Sequence, residues 1–160
     1  MRAISIRAAA EADFERLDAG LRRLSAGLGD GHRARVGDLR RAGFGAHPAF
    51  RALLAEAGDA LVGVVLFSAV FSTMRGAAGL YVSDLWVADE ARGQGLGQGL
   101  LTAAAREGER LWGARFLRLV VYDDNPDAQR FYRRLGFGAD SREILMTLDG
   151  DGLGALKGET

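Results

Sequence analysis

The sequence predicts a mixed α/β (α+β) fold, a single sheet with helices on its faces. Three observations carry this reading. Helical periodicity is concentrated early, strand-like segments fill the middle, and two strand–helix units close the chain. At 160 residues the chain has the size of one domain and enough length to bury a core. Residues 1–148 are read as that domain and 149–160, rich in Gly and Asp, as a frayed tail.

Ile4 to Arg7 opens as a short strand. Glu11 to Leu28 follows as a helix, with Phe14, Leu17, Leu21 and Leu24 at helical spacing and Gly27, Gly29 and Gly31 ending it. A second helix runs from about Arg33 to Ala42, and the glycine-bearing stretch at 43–48 turns the chain. Ala49 to Glu56 fits helix or strand equally. Ala60 to Phe71, rich in Val, Leu and Phe behind the Gly58-Asp59 turn, reads as a buried central strand. After a turn at Gly76–Gly79, Leu80 to Val87 forms the next strand. Gly95 to Leu111 is a helix with Leu96, Leu100, Ala104 and Leu111 near one face, and Arg115 to Tyr122 alternates as a strand. Pro126 opens a further helix, where proline is tolerated in the first turn, and Gly136 stops it. Glu143 to Leu148 is expected as a last strand.

Composition narrows the function. Lys plus Arg equals Asp plus Glu at 21 each, which argues against a dedicated nucleic-acid binder. The pairs Arg22-Arg23 and Arg40-Arg41 are more simply solvated helix faces. There is no cysteine, hence no disulfide, thiolate metal site or cysteine nucleophile, and two histidines do not make a His-rich metal site. No metal is expected. The longest apolar run, about twelve residues with Gly63 and Ser68 inside it, falls short of the roughly 20 that a membrane span needs. No apolar signal stretch follows Met1, so no membrane role and a cytoplasmic address are expected.

The most informative segment is Val87-Ala-Asp-Glu-Ala-Arg-Gly-Gln-Gly-Leu-Gly-Gln98, where a strand ends and a glycine-rich turn opens a helix. Glycines admit positive φ and close approach of a ligand, and free N–H groups at a helix start bind anions. Together they suit a pyrophosphate, with Arg92 beside it. The signal is diluted by composition, because 23 of the residues are glycine. A Rossmann dinucleotide site is the competing reading, with Asp123 as its ribose acid. It fails because Leu100 stands where the third glycine belongs and the turn lies several residues past the strand.

The stretch Tyr81 to Leu101, with its Arg92-Gly-Gln-Gly-Leu-Gly97 core, and the stretch Asn125-Pro-Asp-Ala-Gln-Arg-Phe-Tyr-Arg-Arg-Leu-Gly-Phe137 resemble the GNAT superfamily of acyl-CoA N-acetyltransferases. Asp38 to Pro48 looks like the segment before the central sheet in the diamine (spermidine/spermine) branch. The resemblance covers roughly residues 4–148. It implies a sheet of about six to seven strands, acetyl-CoA as cosubstrate, a small-molecule amine as acceptor and a homodimer, for which Val62 to Phe71 and the final strand offer apolar surface. It places Arg92, Gly93, Gln94, Gly95, Leu96, Gly97 and Gln98 around the coenzyme's pyrophosphate. Leu85, Trp86 and Val87 match the strand whose backbone pairs with the pantetheine arm, Asn125 a coenzyme contact, and Tyr132 the tyrosine that protonates the departing thiolate. From periodicity alone, Phe131-Tyr132 with Ala128 and Leu135 would be core packing; the family match favours a catalytic Tyr132 and leaves Phe131 in the core.

Acetyl transfer to an amine needs a neutral nitrogen. A lysine-like amine, with a pKa of about 10.4, is neutral in about one molecule in 2,500 at pH 7, a cost of about 4.6 kcal/mol that a base or a dry pocket reduces. In the diamine branch a glutamate precedes the strand's aspartate, but here Ser83 holds that position and is no base at neutral pH. Asp84 is the neighbouring candidate, though successive residues on a regular strand point to opposite faces, and a structural role is equally open to it. Asp123 is a second acid, to hold the amine or relay its proton through water. Arg22, Arg23, Arg33 and Arg35 stand where the branch carries acids for polycations, so a mono-amine or amino acid is as good an acceptor as a polyamine. Two other functions stay open: a non-catalytic acyl-CoA-binding module, and acetylation of protein termini or lysines.

Overall fold

The computed structural model describes residues 3–159. It contains two compact units, Met1–Tyr122 and Asp123–Thr160. In the first, strand β1 (Ile4–Ala8) leads through a single 3-10 turn (Glu11–Asp13) into helix α1 (Phe14–Leu28), then helix α2 (Val36–Phe44). Strands β2 (Arg51–Ala57), β3 (Ala60–Ser72) and β4 (Ala77–Val87) follow, then helix α3 (Leu96–Trp112) and the short strand β5 (Leu117–Leu119). The sheet order is β1-β2-β3-β4-β5; the first three pairings are antiparallel and β4–β5 is parallel. The antiparallel run and closing crossover match the expected class, but the sheet has five strands among the described residues where six to seven were expected.

The segment that fits helix or strand equally is strand β2. Sandwiched between β1 and β3, it satisfies its backbone on both edges and buries Ala52 through Ala55. Strand β3 is buried continuously from Val62 to Phe67 because both of its faces are covered. A methyl built on Gly20 of α1 would meet Val64 and Trp86, whereas one on Gly63 would meet Leu100 of α3. Neighbours on a strand point to opposite faces, so α1 and α3 lie on opposite sides of the sheet. Phe14, Leu17 and Leu21 fill the α1 side, and Leu100 and Ala104 the α3 side. Each helix ends on a left-handed glycine, Gly29 at φ 75° and Gly113 at φ 62°.

The second unit holds helix α4 (Pro126–Arg134) and the short helix α5 (Gly150–Leu156). The expected last strand is corrected: Glu143 to Leu148 pairs with no strand among the described residues and is irregular, with Ile144, Leu145 and Met146 at 85, 72 and 87% exposure. An apolar run becomes a strand only where another strand takes its backbone groups. The tail expected to fray contains α5, whose Leu156 is exposed.

Candidate functional site

The pairing of β3 with β4 slips once. Leu66 stands opposite Asp84 and Phe67 opposite Val82, which leaves Ser83 as the extra residue of a β-bulge. The bulge breaks the alternation assumed for a regular strand, and Ser83 lies near enough to Asp84 to favour its charged form. At a bulge successive residues need not point to opposite faces, so strict alternation does not separate Asp84 from the Ser83 position. Burial raises the Asp84 carboxyl above its ordinary range, against the opposing pull of Ser83 and the nearby His32. Asp84 shares its face with Trp86, the α1 side of the sheet.

Beyond the bulge β4 loses its outer partner. β5 pairs only with Leu80, Tyr81 and Val82. Leu85, Trp86 and Val87 pair with Val65, Val64 and Gly63 of β3 on their other edge. The outer edge of this segment can take an extended ligand as an added strand. The Trp86 side chain is buried and carries the Arg23 guanidinium over its ring at 5.6 Å, so a ligand would meet the backbone of Trp86 rather than its indole.

The glycine turn follows at once. Gly93 and Gly95 have φ of 73° and 78°, a conformation that L side chains resist, and Gly95 is the N-terminal cap of α3. The α3 ladder begins with Gly99 N–H donating to Gly95 O at 2.9 Å, which leaves the amides of Leu96, Gly97 and Gln98 ahead of it. No side chain caps this end, and no acidic residue stands in its first turn. The positive end of the helix is uncompensated, the donor set that an anionic phosphate requires. Arg92 is exposed, bonded to Val87 O at 3.2 Å and to Asp89 at 3.0 Å. Gln94 reaches back to Glu90 O at 3.0 Å. The Leu96 side chain is 6% exposed and packs in the core, so only its amide is available to a ligand. These residues fit a coenzyme A diphosphate and pantetheine arm.

In the second unit, Asn125 caps α4 through its Oδ1, which accepts from Ala128 N–H at 3.1 Å. Its side-chain NH2 is the group left for a ligand. Asp123 is exposed, and its carbonyl accepts from Gln129 at 3.0 Å. The Tyr132 ring packs edge-on against Phe131 at 5.0 Å and Phe137 at 5.4 Å. Burial raises the pKa of its phenol.

Sequence reasoning passed over His32. It lies in the loop between α1 and α2, where its Nε2 is 3.0 Å from Asp18 Oδ1 and its Nδ1 3.3 Å from Ser25 Oγ. Asp18 is 7% exposed and also accepts from Arg22 Nε at 2.6 Å. Burial works to raise the Asp18 carboxyl, but the bonds to Arg22 and His32 hold it below its usual range. The sequence signal was an aspartate on an otherwise apolar helix face, at Asp18 beside Leu17 and Leu21. Among the described residues no group of three His, Cys, Asp or Glu side chains is placed to hold a metal ion. No helix there is long and apolar enough to cross a membrane.

Comparison with known proteins bears on the family and the fold. Over 106 residues the chain is 35% identical to a thialysine N-epsilon-acetyltransferase of Sus scrofa, covering 61% of each chain. It is 31% identical over 96 residues to an L-ornithine N5-acetyltransferase of Arabidopsis thaliana, covering 60% of this chain and 42% of that one. The match thus spans about three fifths of the thialysine enzyme's length. Among solved structures, an integron cassette protein from V. cholerae superposes with a TM-score of 0.79 at 21% identity, covering 98% of this chain and 99% of that one. An aminoglycoside N-acetyltransferase in complex with coenzyme A gives 0.77 at 19% identity, covering 92% and 96%. At those identities the likeness is one of fold. The family model for GNAT acetyltransferases matches residues 13–137, from the start of α1 through the α4 motif, and the chain belongs to that family.

Proposed function

We propose that the protein is an acetyl-CoA-dependent N-acetyltransferase acting on a primary amine of a small molecule, such as an amino acid or diamine. The observation that carries this reading is the junction of β4 and α3, where an open strand edge runs directly into an uncapped helix start free of acids. The family match through both motifs and the relatives named for acetylating thialysine and ornithine support it.

Acetyl-CoA, when bound, supplies the thioester carbon that the amine attacks. The amides of Leu96, Gly97 and Gln98 hold the diphosphate, with Arg92, Gly93, Gln94 and Gly95 shaping the turn around it. The backbone of Leu85, Trp86 and Val87 pairs with the pantetheine arm, and Asn125 adds a polar contact. Asp84, part-buried on the bulge beside Ser83, draws in the ammonium group and takes its proton, leaving the neutral nucleophile. Asp123, an exposed carboxylate, is the second acid proposed to hold an amine or relay its proton through water. Tyr132 keeps its proton through neutral pH and gives it to the departing sulfur. The family match crosses both units, which supports one transferase domain over residues 1–148. Phe71 and Met74, exposed at 70 and 78% around the β3–β4 turn, support a homodimer.

One observation favours a second reading: the exposed Ser83 leaves the bulge with a hydroxyl in place of a base, as a non-catalytic acyl-CoA-binding module would have. Calorimetry with acetyl-CoA and thiol release with a panel of amines separate the two. The enzyme reading expects binding and amine-dependent release. Binding without release identifies the module, and absence of binding by folded, ligand-free protein removes both.

A further inference from the structure

Residues 19–35, the later part of α1 and the loop after it, carry Arg22, Arg23, Arg33 and Arg35 against a single acid, Asp30. Arg22 and Asp30 are already partnered. Arg22 donates to Asp18 at 2.6 Å and to Ala34 O at 3.4 Å, and Asp30 accepts from the Tyr122 hydroxyl at 2.9 Å. Arg23 is placed differently. Its guanidinium lies over the Trp86 ring at 5.6 Å, and among the described residues no carboxylate pairs with it. The ring beneath is fixed: Trp86 is 6% exposed, and a methyl built on Gly20, one turn before Arg23, would come within 3.4 Å of it. The cation–π contact positions the guanidinium without neutralising it, and its N–H fork matches a carboxylate.

From Asp84 to Trp86, strand β4 pairs regularly with Leu66, Val65 and Val64. Asp84 and Trp86 therefore project to one face, about 6.6 Å apart along the strand. That face is the one α1 packs on, whereas the proposed diphosphate site at the start of α3 lies on the other side of the sheet. Arg23 is exposed and Asp84 half-buried, so a ligand on the α1 face can meet both. The two form no ion pair with each other, and each is left for an opposite charge. One strand repeat exceeds the separation of an amino acid's α-amine and carboxylate, which share one carbon. It suits an amine at the end of a side chain.

We propose that Arg23, held over Trp86, binds the carboxylate of the acceptor, which is an amino acid acetylated on its side-chain amine rather than a diamine. This rests on the proposed amine acetylation, with Asp84 at the ammonium. Arg23 takes no part in making or breaking bonds; it selects the acceptor by the end that does not react.

The experiment compares L-lysine, L-lysinamide and 1,5-diaminopentane as acceptors, by thiol release at saturating acetyl-CoA, for wild type, Arg23→Gln and Arg23→Lys. All three carry a primary amine at the end of an alkyl chain, and only lysine has a carboxylate. Wild type should prefer lysine in kcat/KM by about tenfold or more, the effect of one charge-assisted pair. Arg23→Gln should remove that preference, chiefly through KM, while kcat/KM for 1,5-diaminopentane does not fall. Arg23→Lys keeps the charge without the fork and should restore part of the preference. Equal losses for all three acceptors would mark Arg23 as a structural support of Trp86. A wild type that takes 1,5-diaminopentane as readily as lysine has no carboxylate subsite. Either result overturns the proposal and leaves the enzyme reading intact. Thiol release with none of the amines removes the enzyme reading instead, and calorimetric titration with lysine then tests Arg23 by itself. Weaker binding by Arg23→Gln than by wild type supports the subsite; no binding, or no difference, overturns it.

Discussion

Tyr132 is the proposed proton donor of the chemical step, and its surroundings make that role testable. Its ring is held edge-on by Phe131 and Phe137, while burial keeps its phenol protonated above the usual tyrosine range. Tyr132→Phe keeps the ring packing and removes only the hydroxyl proposed as proton donor. General acid catalysis contributes on the order of 100-fold or more, so turnover should fall by about that factor while acetyl-CoA affinity changes less than about twofold. Steady-state kinetics with calorimetry reads both, and unchanged turnover removes Tyr132 from the mechanism. Its sign with pH also follows: a donor with a raised pKa fails only on the alkaline side, so the wild type should lose activity there and the variant should lack that limb. Gly95 is the matching test of the proposed phosphate site. A methyl there meets nothing within 4 Å, so the cost of Gly95→Ala is the left-handed backbone itself, about 1 kcal/mol. Relaxing that strain re-aims the amides of Leu96, Gly97 and Gln98, and acetyl-CoA affinity should fall about tenfold with only that small loss of stability. A calorimetric titration that gives the wild-type affinity would place the diphosphate elsewhere.

The elements owe their closeness to small residues at the contact points. Gly108 of α3 is buried, and a methyl on it would come within 1.8 Å of Leu80 Cδ2 on β4. Leu80 is 1% exposed and has no space to retreat into. Gly108→Ala should therefore destabilise the fold by about 1–3 kcal/mol, despite alanine's better helix propensity, and urea unfolding of the variant measures it. This contact was not legible in the sequence, where Gly108 is one glycine among many in a helix pattern. The apolar run of β3, the amphipathic stripe of α1 and the glycine turn before α3 were legible, because each is a local pattern with a local cause. The bulge at Ser83 was not, since it arises from how β4 registers against Leu66 and Phe67 of another strand. Glu143 to Leu148 was misread for the same reason: its apolar residues satisfy a strand pattern, and no partner strand completes it. Helix α5 was missed because Gly150, Gly152 and Gly154 depress its propensity. The candidate site was legible where it is built from contiguous backbone, at Leu85 to Gln98. His32 escaped notice because Asp18, its partner, stands fourteen positions away and meets it only once the loop turns back on α1.

At the scale of the molecule, equal numbers of acidic and basic residues leave no net charge, so electrostatics acts through local clusters rather than a long-range field. The largest cluster fastens the N-terminal unit. Arg7 of β1 forks onto Asp13 at 2.7 and 2.9 Å and onto Glu56 of β2 at 2.8 and 2.9 Å. Arg16 of α1 joins Glu56 at 2.5 Å and Asp13 at 3.7 Å. One carboxylate pair thus ties the first strand, the turn after it, the first helix and the second strand. The hydrogen bonds from Arg7 lower the Asp13 carboxyl from 3.8 to about 2, and Glu56 is lowered likewise. A carboxylate whose folded pKa lies below its unfolded one stabilises fully above the unfolded value, and that stability is lost as pH falls through the folded one. The window for Asp13 is therefore from about pH 4 down to about pH 2. Arg7 is 41% exposed, and allowing for solvent screening the contribution is about 1–2 kcal/mol. Asp13→Asn should cost that amount at pH 6 and progressively less below pH 4, so the denaturation midpoints of variant and wild type should converge in acid. Parallel curves would mean that Asp13 stabilises the unit by packing and capping alone, through its bond to the Ala10 amide, with no contribution from its charge.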